Sequence, residues 1–117
     1  MRLFEGSEDF RRDFIFVDDV VNVNLFFLDH PDKSGIFNCG SGSAQSFRKI
    51  ADIMKKQYDN CAIKHIPFPE TLHGKYQAFT EADLTTLRSA GYEKPFTSLE
   101  EGVSKYVALL KSQNGIY

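Results

Sequence analysis

The hydrophobic and polar positions change period along the chain, and each change marks an element. Phe14-Ile15-Phe16-Val17 is a continuous apolar run of strand composition. Asp18 and Asp19 follow it as candidate helix N-caps, because a carboxylate can accept from the free N–H groups of a first turn. Val20 to Leu28 then reads as a short, mostly buried helix, closed by Pro31 and Gly35. Ile36-Phe37-Asn38-Cys39 reads as a second strand running into Gly40-Ser41-Gly42-Ser43. Phe47, Ile50, Ala51, Met54 and Tyr58 recur at helical spacing, with Ser46 as the cap. Ala62 to Pro67 alternates as a strand does, and Pro67 and Pro69 stop it. Thr80-Glu81-Ala82-Asp83 has the look of a capped helix start, with Gly91 as the stop. Ser98-Leu99-Glu100-Glu101 fits a capping box, followed by an apolar stripe of Val103, Tyr106, Val107 and Leu110. The predicted order is strand, helix, strand, helix, strand, helix, helix, an α/β chain.

Such short strands make no broad sheet by themselves, and Met1 to Phe10 has no evident partner. The expectation is one unit of 117 residues that is part of something larger. Composition agrees with a folded chain: 42% hydrophobic and 26% charged, near the average for globular domains. A net charge of -2 offers no basic face for nucleic acid. No apolar run reaches the roughly 20 residues that span a bilayer, and Met1 to Ser7 has no signal-peptide core. Cys39 and Cys61 lack the spacing of a metal knuckle or redox pair, so reduced thiols and a cytoplasmic location are expected. The unusual number is eleven Phe, which with five Tyr supply much buried area for so short a chain.

Candidate chemistry is sparse. His30, His65 and His73 form no ligand pair, and no Gly-x-Ser-x-Gly elbow is present. Gly40-Ser41-Gly42 lies between a predicted strand and a helix start, so it has two readings: a structural turn, which is favoured, or an anion or cofactor-edge contact. Arg12 precedes an apolar run that could hold its planar, permanently charged guanidinium over phosphate oxygens. The alternative is a solvated Arg-Arg-Asp turn. Phe4 could cover a base or ribose, and Gly6 lets the backbone come close. Tyr76 offers a ring and a hydroxyl, or else is a loop residue packed on the surface.

Three ordered segments carry a resemblance. Arg12-Asp13-Phe14-Ile15-Phe16-Val17-Asp18-Asp19-Val20, Gly35-Ile36-Phe37-Asn38-Cys39-Gly40-Ser41-Gly42, and Gly91-Tyr92 through Gly102 are similar to signatures of the extended short-chain dehydrogenase/reductases acting on nucleotide sugars. Leu3-Phe4-Glu5-Gly6-Ser7 and Gly74-Lys75-Tyr76-Gln77-Ala78-Phe79-Thr80 resemble the epimerase branch that acts on ADP-heptose. The resemblance implies the C-terminal, substrate-binding part of an extended Rossmann-type nucleotide-sugar epimerase, with the N-terminal cofactor domain absent from this chain. It implies an ADP-sugar site made by Phe4, Glu5, Gly6, Ser7, Arg12 and Tyr76. It also implies NADP on the missing domain, a homo-oligomer when complete, and a role in lipopolysaccharide inner-core synthesis. No Tyr-x-x-x-Lys pair occurs, since Tyr58, Tyr76, Tyr92 and Tyr106 are followed four residues on by Ala62, Thr80, Phe96 and Leu110. The chain alone is therefore expected to be inactive. The alternatives are a non-catalytic binding module, or a UDP- or GDP-sugar epimerase or dehydratase.

Overall fold

The computed structural model describes residues 1–58 and 60–113. In chain order the elements are β1 (Arg2–Phe4), β2 (Arg11–Arg12), α1 (Val17–Asp29), β3 (Gln45–Ser46), α2 (Phe47–Gln57), β4 (Lys64–Ile66), a 3₁₀ turn (Glu70–Leu72), α3 (Thr85–Ser89) and α4 (Leu99–Ser112). β1 pairs with β4 in parallel, Leu3 opposite His65. β2 pairs with β3 antiparallel, Arg11 opposite Ser46, and a parallel bridge joins Arg11 to Phe79. The molecule is flat, 49 × 40 × 21 Å.

Helices whose limits are set by local chemistry lie where the pattern places them. The Ser46 hydroxyl accepts from the Lys49 N–H at 3.1 Å, and Ser98 accepts from Glu101 at 3.2 Å. Each satisfies a backbone donor that a helix start leaves free. Glu101 itself ion-pairs with Lys105 at 2.7 Å, one turn on. α2 buries Ala51 and Ile53, the second outside the expected stripe, while Tyr58 sits at the C-cap. α4 buries Gly102 and Val107 but leaves Tyr106 half exposed.

The first two predicted strands do not form. Phe14 to Phe16 and Ile36 to Cys39 carry no ladder among the described residues, because β composition needs a paired neighbour before it becomes a strand. Ile36 is 97% exposed. α1 starts at Val17, with Phe16 at its N-cap, so Asp18 and Asp19 lie inside the first turn rather than capping it. There their charge suits the helix dipole. Asp19 is buried and accepts from the Thr97 backbone N–H at 2.7 Å and the Thr97 hydroxyl at 3.1 Å, tying α1 to the entry of α4. Nor is α1 mostly buried: Val17, Val21, Leu25 and Leu28 are exposed. Thr80 starts no helix; its N–H donates to the Arg11 carbonyl, and α3 begins five residues later. Gly91, at φ 97°, ends that region as expected.

The core lies under α1 and α3. Val23, Leu87 and Tyr92 are buried together, with Phe26, Phe27, Phe37, Leu84 and Phe96 packed around them. Arg88 fastens the following loop, donating to the carbonyls of Tyr92 and Lys94, both at 2.7 Å.

Candidate functional site

β1 and β4 end side by side, and the chain turns sharply after β1. Gly6 takes φ 78°, a conformation costly for any residue with a Cβ. A side chain there would otherwise have room, since its nearest neighbour is the Phe10 ring at 3.9 Å. The turn is closed by Ser7 N–H to the Phe4 carbonyl at 3.1 Å and by Asp9 N–H to the Gly6 carbonyl at 2.9 Å. It brings Phe4, Ser7 and Phe10 to the wall of a cavity of about 200 Å³, completed by Arg2, Leu3, Phe47, Ile66 and Tyr76.

The rings form a cluster with edge-to-face and tilted geometry. Phe68 lies 5.4 Å from Phe4, 5.1 Å from Phe10 and 5.5 Å from Tyr76, and Phe10 lies 4.9 Å from Tyr76. Such pairs add about 0.5–1.5 kcal/mol each beyond burial. Ser7 is 2% exposed, and its hydroxyl has no hydrogen-bond partner among the described residues. Arg12 leans on Tyr76: its guanidinium carbon is 5.0 Å from the ring centre, and Nη1 donates to the Arg11 carbonyl at 2.8 Å.

The structure thus brings together Phe4, Ser7 and Tyr76 as lining, Gly6 as the turn that shapes it, and Arg12 against Tyr76. Glu5 is exposed and outside the lining, with its backbone N–H bound to the Ile66 carbonyl at 2.9 Å. Sequence reasoning did not single out Phe10 or Phe47 as walls. The high Phe count was the signal that such residues existed, without saying which ones.

Gly40-Ser41-Gly42 resolves as a structural turn. Its anion-binding groups are occupied from within: the Asp13 carboxylate accepts from the backbone N–H groups of Ser41 at 2.7 Å and Gly42 at 2.9 Å, and from the Ser41 hydroxyl. The Ala82 N–H donates to the same carboxylate at 3.0 Å. A Cβ on Gly40 would sit 2.5 Å from the Ala82 Cβ and press on the Asp13 carboxylate. Gly40→Ala is therefore expected to cost about 1–3 kcal/mol through overpacking, read as a lowered urea midpoint with unchanged slope.

Burial raises the pKa of Asp13, but its hydrogen bonds to Ser41, Ala82 and Gly42 outweigh that and leave it below the ordinary carboxylate value. A carboxyl depressed by folding adds stability that is complete above the unfolded value of 3.8 and is lost as pH falls through the lower folded one. Urea unfolding at pH 6 and pH 3 should show this loss in the wild type and a smaller one in Asp13→Asn. Equal losses would mean that other carboxylates carry it. Cys39 is exposed, but partial burial and then Asp19 and Asp13 raise its pKa, which keeps it a thiol rather than a nucleophile. No metal-binding cluster occurs among the described residues.

Residues 2–40 match the NAD dependent epimerase/dehydratase family. Over 115 residues the chain is 55% identical to an ADP-L-glycero-D-manno-heptose-6-epimerase of Brachyspira hyodysenteriae, covering 98% of this chain and 36% of that relative. Among solved structures it is similar to the Helicobacter pylori ADP-L-glycero-D-manno-heptose-6-epimerase, with TM-score 0.78 and 27% identity over 96% of this chain and 33% of that one. It shares its fold with RMD from Pseudomonas aeruginosa, solved with NADPH, at TM-score 0.73 and 21% identity, over 96% and 36% of the two chains. The chain spans about a third of the length of these relatives. Its α/β fold is that of part of a Rossmann-type epimerase/dehydratase.

Proposed function

We propose that this chain is the ADP-sugar-binding part of an ADP-glycero-manno-heptose 6-epimerase, a cytoplasmic isomerase of lipopolysaccharide inner-core synthesis. The observation that carries the reading is the aromatic cavity with Arg12 held against its Tyr76 wall. Apolar ring faces suit a planar base, and the guanidinium beside them suits the diphosphate attached to it. The 55% identity to an ADP-heptose epimerase supports adenine and heptose among nucleotide sugars.

In this reading Phe4 and Tyr76 sandwich or edge the base, Ser7 supplies a hydroxyl inside the cavity, and Arg12 grips the phosphates. Gly6 keeps the loop close to the ligand, and Glu5 holds the loop to β4 through its backbone N–H. The sugar then projects away from a fixed anchor, and the anchor sets its orientation. The Gly40-Ser41-Gly42 turn is filled by Asp13 rather than open to a dinucleotide's phosphates. This reading assigns NADP to another part of a longer polypeptide that self-associates, and it gives no step of the reaction to this chain.

The apolar stripe of α1, with Ile36 beyond it, supports reading the chain as one part of a larger unit, since contiguous apolar surface rarely stays bare. The test is to isolate from its native cells the polypeptide that carries this segment and supply it with ADP-D-glycero-D-manno-heptose and NADP. Appearance of the L-glycero epimer, followed by NMR of the sugar, is expected. A polypeptide that leaves the substrate unchanged would overturn the reading in favour of a non-catalytic binding module.

A further inference from the structure

Three segments distant in sequence meet at Asp13. Arg11 N–H donates to the Ala78 carbonyl at 2.8 Å and the Arg11 carbonyl accepts from Thr80 at 3.2 Å, so residues 11–13 run beside 78–82. The next rung is made by a side chain: Asp13 takes the Ala82 N–H, and with its remaining capacity takes the Gly-rich turn on its far side. Residue 12 is therefore held between two backbone rungs and a carboxylate rung. The segment on the other side of the ladder leads back, within a few residues, to Tyr76.

We propose that Asp13 is a positioning residue for the nucleotide site: its carboxylate is the built-in anion of the Gly40-Ser41-Gly42 turn, and by locking that turn to Ala82 it fixes Arg12 against Tyr76. This rests on the ADP-sugar reading above. The cradle is saturated by the protein's own carboxylate, so the ligand's phosphates are left to Arg12. Asparagine at position 13 would turn an amide N–H₂ toward backbone donors that now meet an oxygen, loosening the turn and the 80–82 segment together. The effect passes through Arg12, so it must fall on the phosphates and spare the base.

The experiment measures ADP and adenosine affinities, corrected for fraction folded, in the full chain and its variants. Asp13→Asn is expected to weaken ADP roughly tenfold and adenosine by less than about twofold. In an Arg12→Ala background Asp13→Asn should add less than about twofold for ADP, because the group it positions is gone. Asp13→Ala empties the cradle, and formate should restore its ADP-to-adenosine preference where chloride at equal ionic strength does not. An unchanged preference in Asp13→Asn, full additivity with Arg12→Ala, or no response to formate would overturn the positioning role and leave a purely structural one. A wild-type chain that binds adenosine as tightly as ADP would instead sink the assignment of Arg12 to phosphate, and the inference with it.

Discussion

Arg12→Ala is expected to weaken ADP binding by about 1.5–3 kcal/mol, the worth of a charge-assisted contact, or roughly tenfold to a hundredfold. The guanidinium is placed for this by two contacts, the Tyr76 ring at 5.0 Å and the Arg11 carbonyl at 2.8 Å, and among the described residues it forms no ion pair. Its donors not used there remain available to a ligand. Stability should change little by comparison, since a partly exposed cation–π contact contributes about 0.5–1 kcal/mol. Arg12→Lys keeps the charge but loses the planar fork and the stacking, so its affinity should fall between wild type and alanine. Titration calorimetry of the three forms checks the order. Equal affinity in Arg12→Ala and wild type would remove Arg12 from the site.

Leu87→Ala is expected to cost about 2–5 kcal/mol, the largest effect on stability of any change considered. Leu87 is 0% exposed and sits with Val23 and Tyr92 at the centre of the core, inside a shell of partly buried Phe side chains. Rings around a truncated side chain close poorly on the space, so most of the cavity should persist. Leu28→Ala is the control: that residue is 74% exposed, and its loss should change stability by less than about 0.5 kcal/mol. Urea unfolding of both variants decides it. Similar small costs at the two positions would mean that the core does not lie where the burial places it.

The contrast between those leucines shows what the sequence could convey. Ser46 and Ser98 were legible as caps because each bonds an N–H three residues on, a relation contained in one turn of chain. α2 and α4 follow from the same local logic and their apolar spacing. Phe14 to Val17 and Ile36 to Cys39 have strand composition, but pairing is a relation to another segment, and composition cannot supply the partner. Leu25 and Leu28 lie on a helix of the expected type, but their exposure depends on what packs against it.

The site divides in the same way. Phe4, Gly6, Arg12 and Tyr76 are candidates on their own chemistry and Ser7 and Glu5 through the resemblance; the structure places all but Glu5 around or against one cavity. Phe10 and Phe47 were hidden among eleven Phe. Asp13 was visible only as the middle of a motif. Its hydrogen-bond donors come from residues 28, 29 and 69 positions away, a distance at which no spacing rule operates. The Gly40 turn kept a phosphate cradle as its less favoured reading for the same reason: the carboxylate that fills it comes from elsewhere in the chain.

Titration of the 117-residue chain with ADP, UDP and GDP, followed by ligand-observed NMR with calorimetric affinities, tests the central claim most directly. The expected result is saturable binding of ADP, tighter than either competitor and lost on Arg12→Ala. Tighter binding of UDP or GDP, or no binding of any of the three, would contradict the assignment of this cavity to an ADP-sugar.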